Sequence, residues 1–268
     1  MGTLRMILEE HRLYREQILL LAKSDLIKTY RGAALGWAWA VIKPMVTIFV
    51  FWFAFSVGLR SGKPVDGYPF FLWLLAGFLP WFYMQELIVG GAGCIRAYSH
   101  LVTKMKFPVS IIPTYYNISH MYTHFALIAI TVFVFVCFGY MPDIYYLQLP
   151  VYTLLMFAFF TVWALLSGLL SAISKDFQNL VKAFSSAIFW LSGILYDVDK
   201  IHNRWLRLLL KFNPVTVIAS GYRKVFIHKE WFWEDKVEIM CYFITLTVFT
   251  LAALWAYKKL RKEIPDVL

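Results

Sequence analysis

Tyr30-Arg31-Gly32-Ala33-Ala34-Leu35-Gly36-Trp37-Ala38-Trp39, running on through Lys43-Pro44, is where this chain stops being charged and amphipathic and becomes apolar. From Gly36 to Leu59 the one charged residue is Lys43. A helix over that run rises about 36 Å, enough to cross a hydrocarbon layer of roughly 30 Å with some tilt. The junction therefore predicts the first of a set of membrane spans.

Composition agrees: 60% of the 268 residues are hydrophobic and 16% charged, with a mean hydropathy of +0.63, which excludes the soluble globular class. Six apolar segments stand out, at 36–59, 68–95, 109–139, 150–173, 177–195 and 237–257, each of about spanning length. Ser174-Lys175-Asp176 is too short a link for anything but an antiparallel hairpin between the fourth and fifth. The expected fold is all-α: a single membrane domain over 1–268, with a six-span bundle at 32–268 and an N-terminal interface helix at 1–31. In that helix Tyr14, Ile18 and Leu21 share one side while Arg12, Glu16 and Lys23 share the other, as in a helix lying at the membrane surface. Glu9, Glu10, Arg12 and Glu16 interrupt the apolar core a cleavable signal needs, so a retained N-terminus is expected. Cys94, Cys137 and Cys241 are isolated and read as packed thiols.

Lys and Arg set the orientation. Arg5, Arg12, Arg15, Lys23, Lys28 and Arg31 precede span one; Arg96, Lys104 and Lys106 follow span two; Lys258, Lys259, Arg261 and Lys262 follow span six. Those segments are expected in the cytoplasm, with both termini. The segment 196–236 disagrees, because it would be exterior yet holds Lys200, Arg204, Arg207, Lys211, Arg223, Lys224, Lys229 and Lys236. Asn213-Pro214 divides it, predicting two short re-entrant helices within 196–235. The first would show a basic face of Arg204, Arg207 and Lys211 to phosphate on lipid or polymer.

Catalytic motifs fail on inspection. Gly58-Leu59-Arg60-Ser61-Gly62-Lys63-Pro64 has too few residues between its glycines for a phosphate loop, and proline where Ser or Thr should ligate magnesium. Asp197-Val198-Asp199 has the form that holds a metal on a nucleotide sugar, but no soluble domain accompanies it, leaving a membrane enzyme acting on lipid-linked sugars as a minor alternative. His120 and His124 lack a nearby carboxylate, so no metal site is expected. They belong instead to a polar stripe, Tyr116, Ser119, His120, Thr123 and His124, along half of span three. Such a stripe must face other helices or a wet path suited to a hydroxyl-rich substrate. Lys43 and Glu86 lie about 10 Å and 14 Å from the cytoplasmic ends of spans one and two by helical rise and are placed to pair; snorkelling of Lys43 to headgroups is the simpler alternative. Gly32 and Gly36, Gly90 to Gly93, and Ser167, Gly168, Ser171 and Ala172 suit close helix contacts.

Several of these residues together resemble the transmembrane subunits of type 2 ABC exporters for polysaccharides and teichoic acids. The carriers are Tyr30-Arg31 through Leu35-Gly36 and Trp39; Gly62-Lys63-Pro64-Val65-Asp66-Gly67; Leu75-Ala76-Gly77-Phe78-Leu79-Pro80-Trp81-Phe82; Lys104-Met105-Lys106-Phe107-Pro108 with Pro113; and Asn213-Pro214 with Gly221-Tyr222-Arg223. The Gly62–Gly67 loop is closest to wall teichoic acid exporters, and Lys43 departs from the uncharged residue expected before its proline. The resemblance implies a permease with no catalytic centre, in the cytoplasmic membrane of a bacterium. It would work as a homodimer with two copies of a separate ATPase that holds ATP and magnesium, the chain itself binding no cofactor. The cargo would be an undecaprenyl-linked wall teichoic acid polymer, with O-antigen or capsular polysaccharide as the alternative; lipid is a partner and nucleic acid is not. The coupling segment 96–108 would meet the ATPase through Arg96, Tyr98, Lys104, Lys106 and Phe107. The substrate path is expected to involve Trp37, Trp39, Lys43, Phe78, Trp81, Tyr83, Glu86, Tyr116, His120 and His124, aromatic faces stacking on sugar rings and polar edges meeting hydroxyls.

Overall fold

The structure, a computed structural model, describes residues 2–32, 34–59, 62–105 and 107–268, with Tyr30 described by its backbone alone. In chain order the helices are α1 (Thr3–Leu13), α2 (Arg15–Tyr30), α3 (Trp39–Phe53), α4 (Phe70–Ala97), α5 (Ser99–Thr103), α6 (Ile111–Cys137), α7 (Leu149–Ile173), α8 (Lys175–Leu191), α9 (Arg204–Lys211), α10 (Pro214–Arg223), α11 (Lys236–Leu260) and α12 (Ile264–Val267). Among the described residues, five helical stretches are long and apolar enough to cross a membrane: Gly36–Gly58, Phe70–Thr103, Ile111–Cys137, Ile144–Ile173 and Lys236–Leu260.

These coincide with five of the six apolar segments. The one left over, fifth in chain order, is α8, whose 17 residues rise about 26 Å. It starts two residues earlier than the apolar run because Lys175, Asp176 and Lys182 sit on its exposed sides, with Val181 its one buried residue. It doubles back on α7 through Ser174 and also touches α4.

The bundle is built around α4. Its 28 residues carry charge at Glu86 and Arg96 alone, and most of them are buried, as befits a helix apolar on every side. Its tightest neighbour is α7, and the reason is glycine. A Cβ added at Gly91 would stand 3.0 Å from that of Ala164, and one at Gly168 would stand 3.0 Å from Cδ1 of Ile95, so small residues set the helix separation. Arg96 then closes the seam by donating to the carbonyls of Ser171 (2.6 Å) and Ala172 (2.8 Å) at the end of α7, where unsatisfied carbonyls favour a cation. Gly32 and Gly36 play no such part within the chain: both have positive φ, +86° and +49°, with open space around the missing side chain. They turn the chain into α3.

In contrast to α4, α3 is thinly attached. It buries Ala40, Pro44 and Ile48, a single stripe at four-residue spacing, and leaves Val46, Phe49, Val50 and Phe53 exposed. The N-terminal interface helix is broken at Tyr14 into two. On α2, Ile18, Ala22 and Asp25 are buried against α6, and Tyr14 meets Phe107 edge-on at 5.0 Å.

The segment 196–236 divides at Asn213-Pro214 as its sequence predicts. Asn203 caps α9 by accepting from the Trp205 and Leu206 amides, and Asn213 caps α10 by accepting from Val215, each satisfying otherwise orphaned N–H groups. Whereas α9 leaves Trp205 and Leu209 exposed, α10 is buried among α4, α7 and α11.

Candidate functional site

Between α3, α4 and α6 lies a chamber of about 690 Å³, with Thr29 of α2 at its edge. Its wall brings together Trp39, Lys43, Tyr83, Glu86, His120 and His124 from the expected path. A second groove of about 250 Å³ shares Thr47 and Gln85 with the chamber, and there Phe78 and Trp81 appear with Phe189 and Trp190 of α8. The two volumes thus follow one another along the α3–α4 seam, the first mostly polar in its named side chains and the second mostly aromatic. Trp37 is exposed in the turn before α3 and lines neither. Tyr116 sits behind His120, ring centroids 4.6 Å apart, its hydroxyl filling the space beside Gly90.

Packing fixes these groups in different ways. Lys43 Nζ is 3.9 Å from Glu86 Oε1, with both side chains largely exposed to the chamber, so this is a loose ion pair. His124 is fully buried, its Nε2 2.8 Å from the Tyr222 hydroxyl, which is 2.8 Å from Thr153 Oγ1. That chain joins α6, α10 and α7. Tyr83 donates to Asn117, whose amide donates to the Phe157 carbonyl at 3.0 Å and to Thr161 at 2.6 Å, fixing the wall against α7. Phe189 joins α3 and α4 in a single aromatic knot, its ring centroid 5.6 Å from Phe51, 5.6 Å from Phe78 and 5.2 Å from Trp81.

At the α5 end, Tyr98 forms the corner between α4 and α5, and Phe107 is buried with its amide on the Leu101 carbonyl. Arg96 is committed to α7. Lys104 is exposed, as are His100 and Met105; Lys106 lies outside the described residues.

At the opposite end the expected basic face is corrected at Lys211. It turns inward, 2.9 Å from Asp199 Oδ1 and bonded to Asp235. Burial alone would pull its ammonium down, but hydrogen bonds to Asp235 and Asp199 outweigh it and leave the pKa above the ordinary lysine value. Burial likewise pushes Asp235 up, and the Lys211 hydrogen bond outweighs it, so its carboxyl titrates below the ordinary range. Arg207 donates to the Asp199 carbonyl at 3.1 Å, and Arg204 is exposed. Three more cations of 196–236 are paired: Lys224 with buried Glu238, Lys229 with Asp143 at 2.8 Å, and Lys200 with Asp197 at 3.5 Å. Arg223 stacks 3.5 Å over Trp73 and donates to the carbonyls of Gly193 (2.6 Å) and Ile194. Asp197 also caps the Asp199 amide, so both carboxylates of the Asp-x-Asp motif serve local structure.

Sequence reasoning missed Thr47, Gln85, Phe189 and Trp190, which the α3–α4–α8 packing brings to the groove, and Asp25, which stands at helical spacing from Ile18 and Ala22. The assembled wall can hydrogen-bond hydroxyl groups along one stretch and stack on rings along the next.

The ABC-2 type transporter family matches residues 16–227, from α2 to just past α10. The O-antigen export system permease protein RfbA of Myxococcus xanthus is 24% identical over 244 residues, 91% of this chain and 90% of that protein. A protein of the same name from Klebsiella pneumoniae is 22% identical over 254 residues, 94% of each. With most of its length matched and its apolar helices in place, the chain belongs to the ABC-2 type transporter family, as a multi-pass membrane subunit that is not itself a catalyst and works with a separate ATPase.

Proposed function

We propose that the chain is the permease subunit of an ATP-driven exporter that moves a lipid-linked polysaccharide of the O-antigen kind across the cytoplasmic membrane of a bacterium. The observation that carries this reading is the chamber of about 690 Å³ followed by the aromatic groove along α3 and α4. Hydroxyls, amides and imidazoles in succession with tryptophan and phenylalanine faces suit a sugar polymer, which offers both polar edges and flat ring faces. In this reading Trp39, Lys43, Tyr83, Glu86 and His120 meet the polymer first, and Phe78, Trp81, Phe189 and Trp190 stack on it further along; Tyr116 and His124 position that wall.

O-antigen replaces the wall teichoic acid expected from the sequence. Both relatives carry O-antigen export in their names and align over nine-tenths or more of their length. The teichoic acid branch rested on the Gly62–Gly67 loop, which lines neither volume. There Asp66 pairs with His228 at 2.9 Å and the Gly67 carbonyl accepts from Tyr140, so local packing accounts for those residues.

The chain works as two copies with two ATPase subunits, which hold ATP and magnesium. The exposed faces of α3 and α8 suit a second copy, and exposed His100, Lys104 and Met105 suit ATPase docking, with both termini on that cytoplasmic side. The test is depletion of the chain in cells that make a surface polysaccharide. Expected is loss of that polymer from the surface with its undecaprenyl-linked form retained inside; unchanged surface polymer would refute the reading, and retention of a teichoic acid instead would restore the first expectation.

A further inference from the structure

Asp25 is a buried carboxylate on a helix whose other buried residues are apolar. It is 7% exposed, and no cation faces it among the described residues. Instead each oxygen has a hydroxyl: Tyr98 donates to Oδ1, and Ser119 lies 2.7 Å from Oδ2. Ser119 also has the Tyr116 carbonyl at 2.8 Å, but its single proton is better spent on the charged acceptor. Three elements therefore meet on one side chain: α2, the α4–α5 corner and α6.

The connection continues. The Tyr98 ring is 5.2 Å from Tyr115 and 6.5 Å from Tyr116, and Tyr116 packs on His120, which lines the chamber. On α2 itself, Thr29 donates to the Asp25 carbonyl at 3.0 Å and lines the same chamber. Asp25 is thus one side chain removed from the α5 corner in one direction and from the chamber wall in the other.

The geometry points to Asp25 as a positioning residue that ties the α5 corner to the chamber, so that a displacement of α5 by the ATPase moves α2 and the wall of α6 together. For what the chamber carries, the inference rests on the proposed exporter function. A second carboxylate supplies a built-in comparison. Glu10 accepts from Ser110 and from Tyr257 at 2.9 Å, joining α1 to α6 and α11, but neither Ser110 nor Tyr257 lines the chamber. Equal loss of one hydroxyl at each place separates bracing from coupling.

The full chain is purified with its ATPase carrying Tyr98→Phe, Asp25→Asn or Tyr257→Phe. Hydrogen–deuterium exchange over 15–30 and 99–103 is compared with and without ATP, alongside ATP hydrolysis and surface polysaccharide in cells. Asp25→Asn should keep hydrolysis within about twofold, and both it and Tyr98→Phe should keep the ATP-dependent change at 99–103, while the change at 15–30 disappears and export falls roughly tenfold. Tyr257→Phe should leave the ratio of export to hydrolysis at the wild-type value. Parallel loss of export and hydrolysis, an ATP response at 15–30 preserved in Tyr98→Phe, or an equal effect of Tyr257→Phe would each overturn the inference. If Asp25→Asn fails to assemble, Tyr98→Phe decides alone, since it keeps both the carboxylate and the ring. The exchange readout needs no polymer, so a wild-type complex that responds to ATP without exporting polysaccharide would sink the proposed cargo and leave Asp25 to be judged separately.

Discussion

Replacing Gly77 by alanine adds one methyl group to α4 and should be among the most damaging small changes in the chain. The added Cβ would overlap the Arg223 guanidinium, standing 2.8 Å from its Cζ. An exposed arginine would swing aside. This one is 3% exposed, stacked on Trp73 and bonded to the carbonyls of Gly193 and Ile194, so moving it breaks two charge-assisted hydrogen bonds and a desolvated cation–π contact. At about 1.5–3 kcal/mol for each such bond, less what relaxation recovers, the loss is about 3 kcal/mol. For a chain of this length that corresponds to roughly 6–12 °C in Tm, read by fluorescence-detected size exclusion of the heated, detergent-solubilised protein. The decisive arm is the double variant. With Arg223→Ala the space is vacated, so Gly77→Ala on that background should be neutral or slightly stabilising, since alanine is the better helix former by about 1 kcal/mol. The interaction energy between the two sites should then approach the full single-variant loss. Additive effects of Gly77→Ala and Arg223→Ala would refute the assignment of Gly77 as room for the guanidinium.

Gly91→Leu, which must force Ala164 away at the α4–α7 seam, should lower stability by at least about 3 kcal/mol in the same melting assay, whereas Gly32→Ala should act through its positive φ alone and cost about 1 kcal/mol. For the loose pair of Lys43 and Glu86, either neutral substitution should change stability by less than about 1 kcal/mol; if pairing matters to export, the double neutral variant should export better than either single one, and equal or greater damage in the double would remove the pair from the mechanism. Lys211→Met should lower the melting temperature near neutral pH by an amount equivalent to about 1–2 kcal/mol, below the range for a fully buried pair because Asp199 is half exposed. Asp235 titrates below its ordinary 3.8, so its share of that contribution is present above that value and is lost as pH falls through the lowered one. Lys211 titrates above its ordinary 10.5, so its share is full below that value and is lost as pH rises through the raised one. The gap between wild type and Lys211→Met should accordingly be flat from pH 5 to 9 on the scale of about 0.5 kcal/mol and narrow in acid; a gap that opens in acid would contradict the pairing.

The spans were legible because a bilayer demands unbroken apolar length, and Gly36–Gly58, Ile111–Cys137 and Lys236–Leu260 each supply it within one window of sequence. The split at Asn213-Pro214 was legible for a local reason too, since a cap and a proline act within a turn. What escaped was anything completed by a distant partner. Arg204, Arg207 and Lys211 read as a free basic face until the fold brings Asp235 to Lys211, just as it brings Asp143 to Lys229 and Glu238 to Lys224. The polar stripe of span three was visible, yet its division was not: Ser119 serves Asp25, His124 serves Tyr222, and His120 faces the chamber. The pairing distance of Lys43 and Glu86 came from helical rise alone, and the structure places them 3.9 Å apart. Phe189 and Trp190 gave no signal, because an aromatic at the end of an apolar run looks the same whether it meets lipid or lines a groove.

The same contrast between α4 and α3 bears on how the path works. The wall formed by α4 is enclosed by α6, α7, α8 and α10, and shifting it would disrupt the glycine seam with α7 and the Arg223 contacts at once. The wall formed by α3 rests on Ala40, Pro44 and Ile48, a narrow stripe that gives up only van der Waals packing when it separates, since lipid tails are as apolar as the surface it leaves. Pro44 removes one backbone bond near its start, and a π-helical turn at Ala54–Gly58 loosens its far end. Widening of the chamber is therefore cheapest by displacement of α3 away from a fixed α4. Since α2 leads directly into α3 and Asp25 holds α2 to the α5 corner, the mobile wall is also the one nearest in sequence to the proposed point of ATPase control.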